Sequence, residues 1–262
     1  MAVEVPAAEA EVARAAFLAL FPAGFEERDR DGGVELAGYA EETGAAAVRA
    51  AFPDAVETEV ASGWEERWRE FHRPVRVGPL WIGPTWEVPP KDAVAVVIEP
   101  ARAFGTGGHP TTRLCLELLV ELRSELAAAS VLDVGCGSGV LAVAAWGLGY
   151  RPVRAIDVDP AAVEETRRNA AANDATVDVS LADALAADLP FADVIVANIA
   201  RDTVETLAPR LSCRLLVASG YLDTDPPRLD GFRCLRQHAT DGWAAGVYAP
   251  EELLARSRHS RV

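Results

Sequence analysis

The 262 residues predict an α/β fold, a mostly parallel sheet that ends in an antiparallel hairpin, preceded by a small α+β unit. Three observations lead there. From about residue 94 onward, short apolar runs alternate with helix-length stretches, the pattern of repeated βα units. An alternating glycine run, Gly135-Cys136-Gly137-Ser138-Gly139, follows directly on an apolar strand. Residues 1–61 carry their own turn signals and periodicities, apart from that series.

In that first stretch Val3 and Val5 alternate as a short strand, and Ala8 to Phe21 places Val12, Ala16 and Leu20 at helical spacing. Phe25 to Tyr39 reads as a hairpin, because Asp31-Gly32-Gly33 supplies the positive φ angles of a tight turn. A helix at about 41–51 and a strand at about 55–61 follow. Strand, helix, hairpin, helix, strand is the order of a ferredoxin-like unit. It holds no catalytic set and is expected to be a binding surface. Residues 62–93 read as a linker. Trp64, Trp68 and Phe71 share one helical face and are expected to pack on a neighbouring domain rather than stack on a substrate. Pro74, Pro79, Pro84, Pro89 and Pro90 are expected to keep the chain extended and stiff, with Trp81 and Trp86 lining a domain boundary or cleft wall.

Residues 94–262 form the larger domain. A strand at about 94–99, a glycine-rich loop at 103–109 and a helix at about 110–127 open it. Strands at about 131–134, 153–157, 176–180, 192–197 and 214–218 then alternate with helices at about 138–148, 160–173 and 201–211. After Gly220 comes a proline-interrupted segment, then strands at about 231–237 and 243–248 joined by a short turn, which must be antiparallel. A parallel sheet of this kind takes its ligand at the carboxyl ends of the strands. Ending it in an antiparallel hairpin is the order of a Rossmann-like class I methyltransferase.

Composition excludes several classes. Half of the residues are hydrophobic and a quarter charged, with a net charge of −15 and Lys91 the single lysine. So acidic a protein repels phosphate backbones, and direct sequence-specific nucleic-acid binding is not expected. A basic partner suits it, although solubility alone also accounts for the charge. No apolar run reaches the roughly 18 residues of a membrane helix, and the N-terminus lacks the basic start and apolar stretch of a signal peptide. A cytoplasmic monomer without membrane association is expected. Cys115, Cys136, Cys213 and Cys234 are scattered with no C-x-x-C pair, so neither a metal site nor a disulfide framework is expected. Reduced thiols packed as small hydrophobes are.

The chemistry starts at Val131-Leu132-Asp133, an apolar strand ending in an acid. Gly135 and Gly137 let a ligand approach with no Cβ in the way. The helix starting near Ser138 is expected to present free N–H groups there. A dinucleotide fingerprint would place its third glycine where Val140 stands. G-x-G-x-G, with an acid two residues before it, is instead characteristic of a sulfonium nucleoside, S-adenosylmethionine, which has no pyrophosphate to seat on a helix dipole. Asp157 ends the second strand, 22 residues after Gly135, and is placed to accept both ribose hydroxyls. Asp159-Pro160 fits a helix start with Asp159 as N-cap. Asp183 follows the third strand and can accept from an adenine amino group, or stand as a solvated loop acid. Asn198 ends the fourth strand, where its amide can accept a hydrogen bond from an incoming amine and orient the lone pair. It is the candidate catalytic residue. His109, before Pro110-Thr111-Thr112, reads as a loop-shaping hydrogen bonder rather than a base.

Three stretches together, Ala103-Phe104-Gly105-Thr106-Gly107-Gly108-His109-Pro110-Thr111-Thr112-Arg113-Leu114-Cys115-Leu116, the glycine run with Leu141-Ala142-Val143-Ala144-Ala145, and Val196-Ala197-Asn198-Ile199, resemble the bacterial methyltransferases of large-subunit ribosomal protein eleven. The resemblance is strong over roughly 63–220 and weaker over the N-terminal unit, which in that family recognises substrate on a mobile linker. It implies cofactor contacts at Phe104, Thr106, Thr111, Thr112, Gly135, Asp157 and Asn198, and methyl transfer to lysine, and to α-amino, nitrogens of a basic ribosomal protein. Gly108 departs from the family's usual threonine, the N-terminal unit is short, and a Pro226-Pro227 stub replaces the helix before the last two strands. An alternative is a methyltransferase acting on another protein or on a small amine. The glutamine-directed enzymes among these carry Asn-Pro-Pro-Tyr where Asn198-Ile199-Ala200-Arg201 stands. A non-catalytic cofactor-binding scaffold would show a damaged cofactor loop, and a nicotinamide oxidoreductase would need glycine at Val140.

Overall fold

The computed structural model describes residues 1–6, 13, 16–17, 20–21, 26–30, 32–38, 42–57, 73–99, 107–126 and 128–259. The chain divides into two compact units, Met1–Trp68 and Arg69–Val262.

In the first unit, β3 (Gly33–Ala37) lies between β1 (Ala2–Pro6) and β2 (Glu26–Arg30), antiparallel to both. Arg30 pairs with Gly33, which leaves a two-residue hairpin turn, as the Asp-Gly signal requires. Val3, Val34 and Leu36 from the sheet and Val48 from α1 (Glu42–Ala51) form the core with Phe17 and Phe21. The buried residues of the preceding helical stretch include Ala13 and Phe17, whereas Ala16 and Leu20, expected to face the core, are half-buried. A strand is expected at 55–61. Among the described residues it is represented by a bridge between Ala2 and Val56, and 58–61 lie outside them.

The proline-rich stretch differs from the expected extended linker. β4 (Val75–Val77) pairs antiparallel with β5 (Leu80–Gly83), which pairs parallel with β6 (Val94–Val97). The prolines bracket these strands instead of stiffening a tether: Pro74 precedes β4, Pro79 occupies the turn and Pro84 follows β5. At those positions a missing N–H costs no ladder hydrogen bond. Val77, Leu80, Ile82 and Val96 are buried in the large core of the second unit. Trp81, buried in β5, lays its ring against Gly83. Trp64, Trp68 and Phe71 lie outside the described residues.

The main sheet has seven strands: β7 (Val131–Val134), β8 (Val153–Asp157), β9 (Val177–Leu181), β10 (Ala192–Asn198), β11 (Cys213–Leu222), β12 (Phe232–Thr240) and β13 (Trp243–Pro250). Their order across the sheet is β12-β13-β11-β10-β7-β8-β9. Only β13 runs against the others, inserted between β11 and β12. α2 (Pro110–Glu125), α3 (Val140–Gly147), α4 (Pro160–Ala172) and α5 (Arg201–Leu207) connect the parallel part. Leu118 and Val143 pack with Val131 and Val196 on one face, and Val204 and Leu207 with Leu132 and Ile195 on the other. This is the Rossmann-like order expected. Residues 223–231 contain no helix, as the proline stub implies, but a C-terminal helix α6 (Glu251–His259) follows β13. The sequence reading assigns no element there, although Glu251 and Glu252 in the first turn, followed by Leu253-Leu254-Ala255, suit a helix. Cys115, Cys136 and Cys213 are buried, while Cys234, on the edge strand β12, is exposed rather than packed.

The chain passes from β9 back across β7 to form β10, so the sheet's switch point lies between the carboxyl ends of β7 and β10. A bulge in β11 helps to shape it. Ser219 pairs with Ala245 and Tyr221 with Ala244, leaving Gly220 as the extra residue at φ +96°. A Cβ there would stand 2.1 Å from the carbonyl oxygen of Ile199. Gly220→Ala is therefore expected to lower the unfolding free energy by about 3 kcal/mol, read from urea denaturation. A midpoint within error of wild type would refute this close approach.

Candidate functional site

A cleft of about 490 Å³ opens at the switch point. Thr112 of α2, Gly135, Cys136 and Gly137, Val140 and Leu141 of α3, Asp157 of β8, and Asn198 and Ile199 at the end of β10 line it. Val158, Asp159, Ala162 and Thr203 complete the wall.

The floor is the turn from β7 into α3. Gly135, Gly137 and Gly139 all have positive φ, at +73°, +54° and +80°. A Cβ on Gly135 would lie 2.5 Å from Ile199 Cγ2, and one on Gly139 2.7 Å from Thr166 Cγ2. Small residues are required on both flanks. Side chains then pin the turn. Asp157 Oδ2 accepts from Gly137 N at 3.0 Å and its Oδ1 from Asp159 N at 2.9 Å. Each carboxylate oxygen keeps a further lone pair, and the group lines the cleft, so a vicinal diol can be held there. Thr166 Oγ1 donates to the carbonyl of Gly137 at 2.9 Å from a fully buried position on α4. Asp159 caps α4, its Oδ1 accepting from Ala161 N at 2.8 Å.

The start of α3 differs from expectation. Two of its first N–H groups are engaged within the protein: Val140 N donates to Ser138 Oγ at 3.3 Å and Ala142 N to Asp133 Oδ2 at 3.1 Å. Gly139, the N-cap residue, has no side chain to do this, so the strand's own acid reaches forward and caps the helix. Asp133 is 1% exposed and its Oδ1 has no partner among the described residues. Burial, opposed in part by the Ala142 hydrogen bond and reinforced by nearby Asp157, pushes its carboxyl up to about 7.

At the opposite wall, His109 caps α2, with Nδ1 accepting from Thr111 N at 3.3 Å and lying 2.8 Å from Thr111 Oγ1. Its ring meets Trp243 edge-on at 5.1 Å between centroids. The Thr111 hydroxyl is thus engaged at the cap, and Thr111 is not among the residues lining the cleft. Thr112 does line it, and accepts from Asn198 Nδ2 over a long 3.4 Å. That contact directs the amide's nitrogen into the protein and leaves its oxygen as the acceptor. Asp183 stands on the exposed loop after β9, where its Oδ1 accepts from Leu185 N at 2.9 Å, and it is not a lining residue. Phe104 and Thr106 lie outside the described residues. Gly107 just after them is buried, and a Cβ there would stand 2.7 Å from Ile82 Cγ2, so β5 supports the exit of that loop. A Cβ at Gly108 would meet nothing within 4 Å.

Sequence reasoning brings Gly135, Gly137, Asp157, Thr112 and Asn198 to one place. It misses Thr166, Ile199 and Thr203, and it misses the capping role of Asp133. A buried threonine on a helix flank has no motif of its own, and Asp133 reads as part of a fingerprint. The described lining residues include two carboxylates and no basic side chain. With these acids and no cation in the described lining, the cleft suits a nucleoside bearing positive charge and opposes a pyrophosphate.

A profile of the ribosomal protein L11 methyltransferase family (PrmA) matches residues 30–224. The chain belongs to this family. The ribosomal protein L11 methyltransferase of Pelobacter propionicus is 43% identical over 211 residues, 74% of this chain and 68% of that one. That of Serratia proteamaculans is 45% identical over 163 residues, 61% and 54%. The matched part thus spans from about half to about two thirds of these relatives' lengths. Among solved structures, a ribosomal protein L11 methylase from Lactobacillus delbrueckii subsp. bulgaricus is 28% identical, with a TM-score of 0.61 over 68% of this chain and 99% of that one. The PrmA family uses S-adenosylmethionine as methyl donor, and the cleft's charge and shape fit that group.

The buried acid makes stability depend on pH. In the unfolded chain an aspartate ionises near about 4, so raising the pH from about 4 to about 7 ionises the unfolded state first and lowers native stability. Asp133→Asn removes this term. The stability of wild type relative to this variant is expected to fall across that window and level off above it, measured by urea denaturation at stepped pH. A difference independent of pH would show that Asp133 ionises normally.

Proposed function

We propose that this protein transfers methyl groups from S-adenosylmethionine to amino nitrogens of ribosomal protein L11, at lysine side chains and at the α-amino group, in the cytoplasm. The observation that carries the reading is the cleft at the switch point, with acid and amide groups on adjoining strand ends and no cation among the described lining residues. Membership of the PrmA family supports the substrate. No helix among the described residues is long and apolar enough to cross a membrane, which agrees with a ribosomal substrate met in the cytoplasm. The ferredoxin-like N-terminal unit takes the role of substrate recognition, and the net charge of −15 suits a basic partner.

The donor supplies a methyl group already activated on a sulfonium, so the chain's own residues have to hold, align and exclude water. Asp157 takes the ribose hydroxyls, while Gly135 and Gly137 allow the approach. Thr112, which lines the cleft, would flank the cofactor, Thr111 secures the start of α2, and Phe104 and Thr106 are the further contacts that the family resemblance implies. Asp183, outside the lining and with its Oδ1 engaged by Leu185 N, is left out of the cofactor contacts. Asn198, with its nitrogen turned to Thr112, offers its oxygen to an N–H of the incoming amine and aims the lone pair into the cleft. Val140, Leu141 and Ile199 make the surroundings apolar. An amine entering them loses hydration as an ammonium, which favours the neutral, nucleophilic form.

Purified protein incubated with ribosomal protein L11 and methyl-labelled S-adenosylmethionine is expected to label L11, with whole-methyl mass increments at amino groups by peptide mass spectrometry. Label on small amines with none on L11 would overturn the substrate. Asp157→Ala is expected to weaken cofactor binding by at least about tenfold in calorimetry. Asn198→Ala is expected to slow transfer at saturating cofactor by about a hundredfold. Wild-type turnover in that variant would remove Asn198 from the chemistry.

A further inference from the structure

The inner side of α4 carries a polar ladder. Thr166 and Asn169 are buried, and Asn173 caps the helix's C-terminal end. Such residues are poor helix formers and costly to bury unless each polar atom is met. Here each is met by backbone from elsewhere in the fold. Asn173 takes the place of a neighbouring strand: Val97 N donates to its Oδ1 and its Nδ2 donates to Val97 O, both at 2.7 Å, which anchors the end of β6. Asn169 does something different. Its Nδ2 donates to Ser138 O at 2.8 Å, inside the glycine turn, and its Oδ1 accepts from Glu99 N at 3.3 Å. The orientation of this amide is forced, because one end faces a carbonyl and the other an N–H.

The two segments it joins are far apart in sequence. Ser138 lies in the turn that floors the cleft. Glu99 stands two residues beyond the end of β6. We propose that Asn169 is a positioning residue for the cofactor: one side-chain amide holds the glycine turn in register with the chain leaving β6. It touches no cofactor and acts through the backbone of Ser138 and Glu99. The inference rests on the S-adenosylmethionine reading of the cleft. Asparagine is required because the link needs a donor and an acceptor on one short, planar group. Asp at this position keeps the acceptor for Glu99 and sets a carboxylate oxygen against the Ser138 carbonyl.

The test is calorimetric titration of S-adenosylhomocysteine into the full chain, with thermal unfolding measured alongside. Asn169→Asp is expected to raise the dissociation constant about tenfold. Asn169→Ser, which loses both links, is expected to do the same and decides the question if the first variant does not fold. Tyr150→Phe is the control for stability alone. It removes a buried hydrogen bond from Tyr150 Oη to Leu119 O, 2.8 Å, away from the cleft. This control is expected to lower the unfolding temperature while holding the dissociation constant within about twofold. An Asn169 variant that folds and binds as wild type does would overturn the proposal. So would an equal loss of affinity in Tyr150→Phe, which would make the effect one of stability. A wild-type protein that fails to bind would instead sink the reading of the cleft itself.

Discussion

Ile199 is held between two backbones that approach it with no side chain between. Gly135, at the end of β7, lies against its Cγ2, and Gly220, at the bulge of β11, against its carbonyl oxygen. The residue before it is Asn198. The place of the amide therefore depends on two glycines from two other strands, each at a positive φ that other residues adopt only with strain. A sheet switch point provides a gap between strand ends. In this protein the close packing around Ile199 sets how wide that gap is.

Electrostatics reinforce the same geometry from below. Asp133 sits behind the glycine turn with one oxygen on Ala142 N and the other without a partner among the described residues, and burial holds its carboxyl near neutrality. Asp157 in front pins Gly137 and faces the cleft. The two acids have separate tasks: one stabilises the start of α3 and the other is presented to ligand. Of the helix N–H groups that a dinucleotide enzyme offers to phosphate, those of Val140 and Ala142 are here engaged within the protein. That joins the position of the third glycine in separating this turn from the dinucleotide type.

The sheet β4-β5-β6 gives a reason for the proline-rich segment. It packs into the core of the second unit, and Ile82 presses on Gly107 at the exit of the loop that family resemblance links to the cofactor. Asn169 and Asn173 tie the end of the same sheet to α4. A segment expected to be a tether is part of the scaffold around the cleft.

What the residues determined alone follows from local rules. Alternating βα periodicity, the glycine turn after β7, the acid ending β8 and the Asp159 cap are each set by neighbours within a few positions, and they were legible for that reason. The terminal hairpin and the missing helix at Pro226-Pro227 were legible too, from chain connectivity and proline sterics. What the tertiary structure decided concerns partners far apart in sequence. Asp133 as a helix cap, the Asn198–Thr112 contact across 86 positions, and Asn169 between Ser138 and Glu99 arise when three-dimensional packing brings a donor to an acceptor. No periodicity encodes those pairs. A buried polar group must find a partner, but which partner it finds is settled by the order of strands across the sheet.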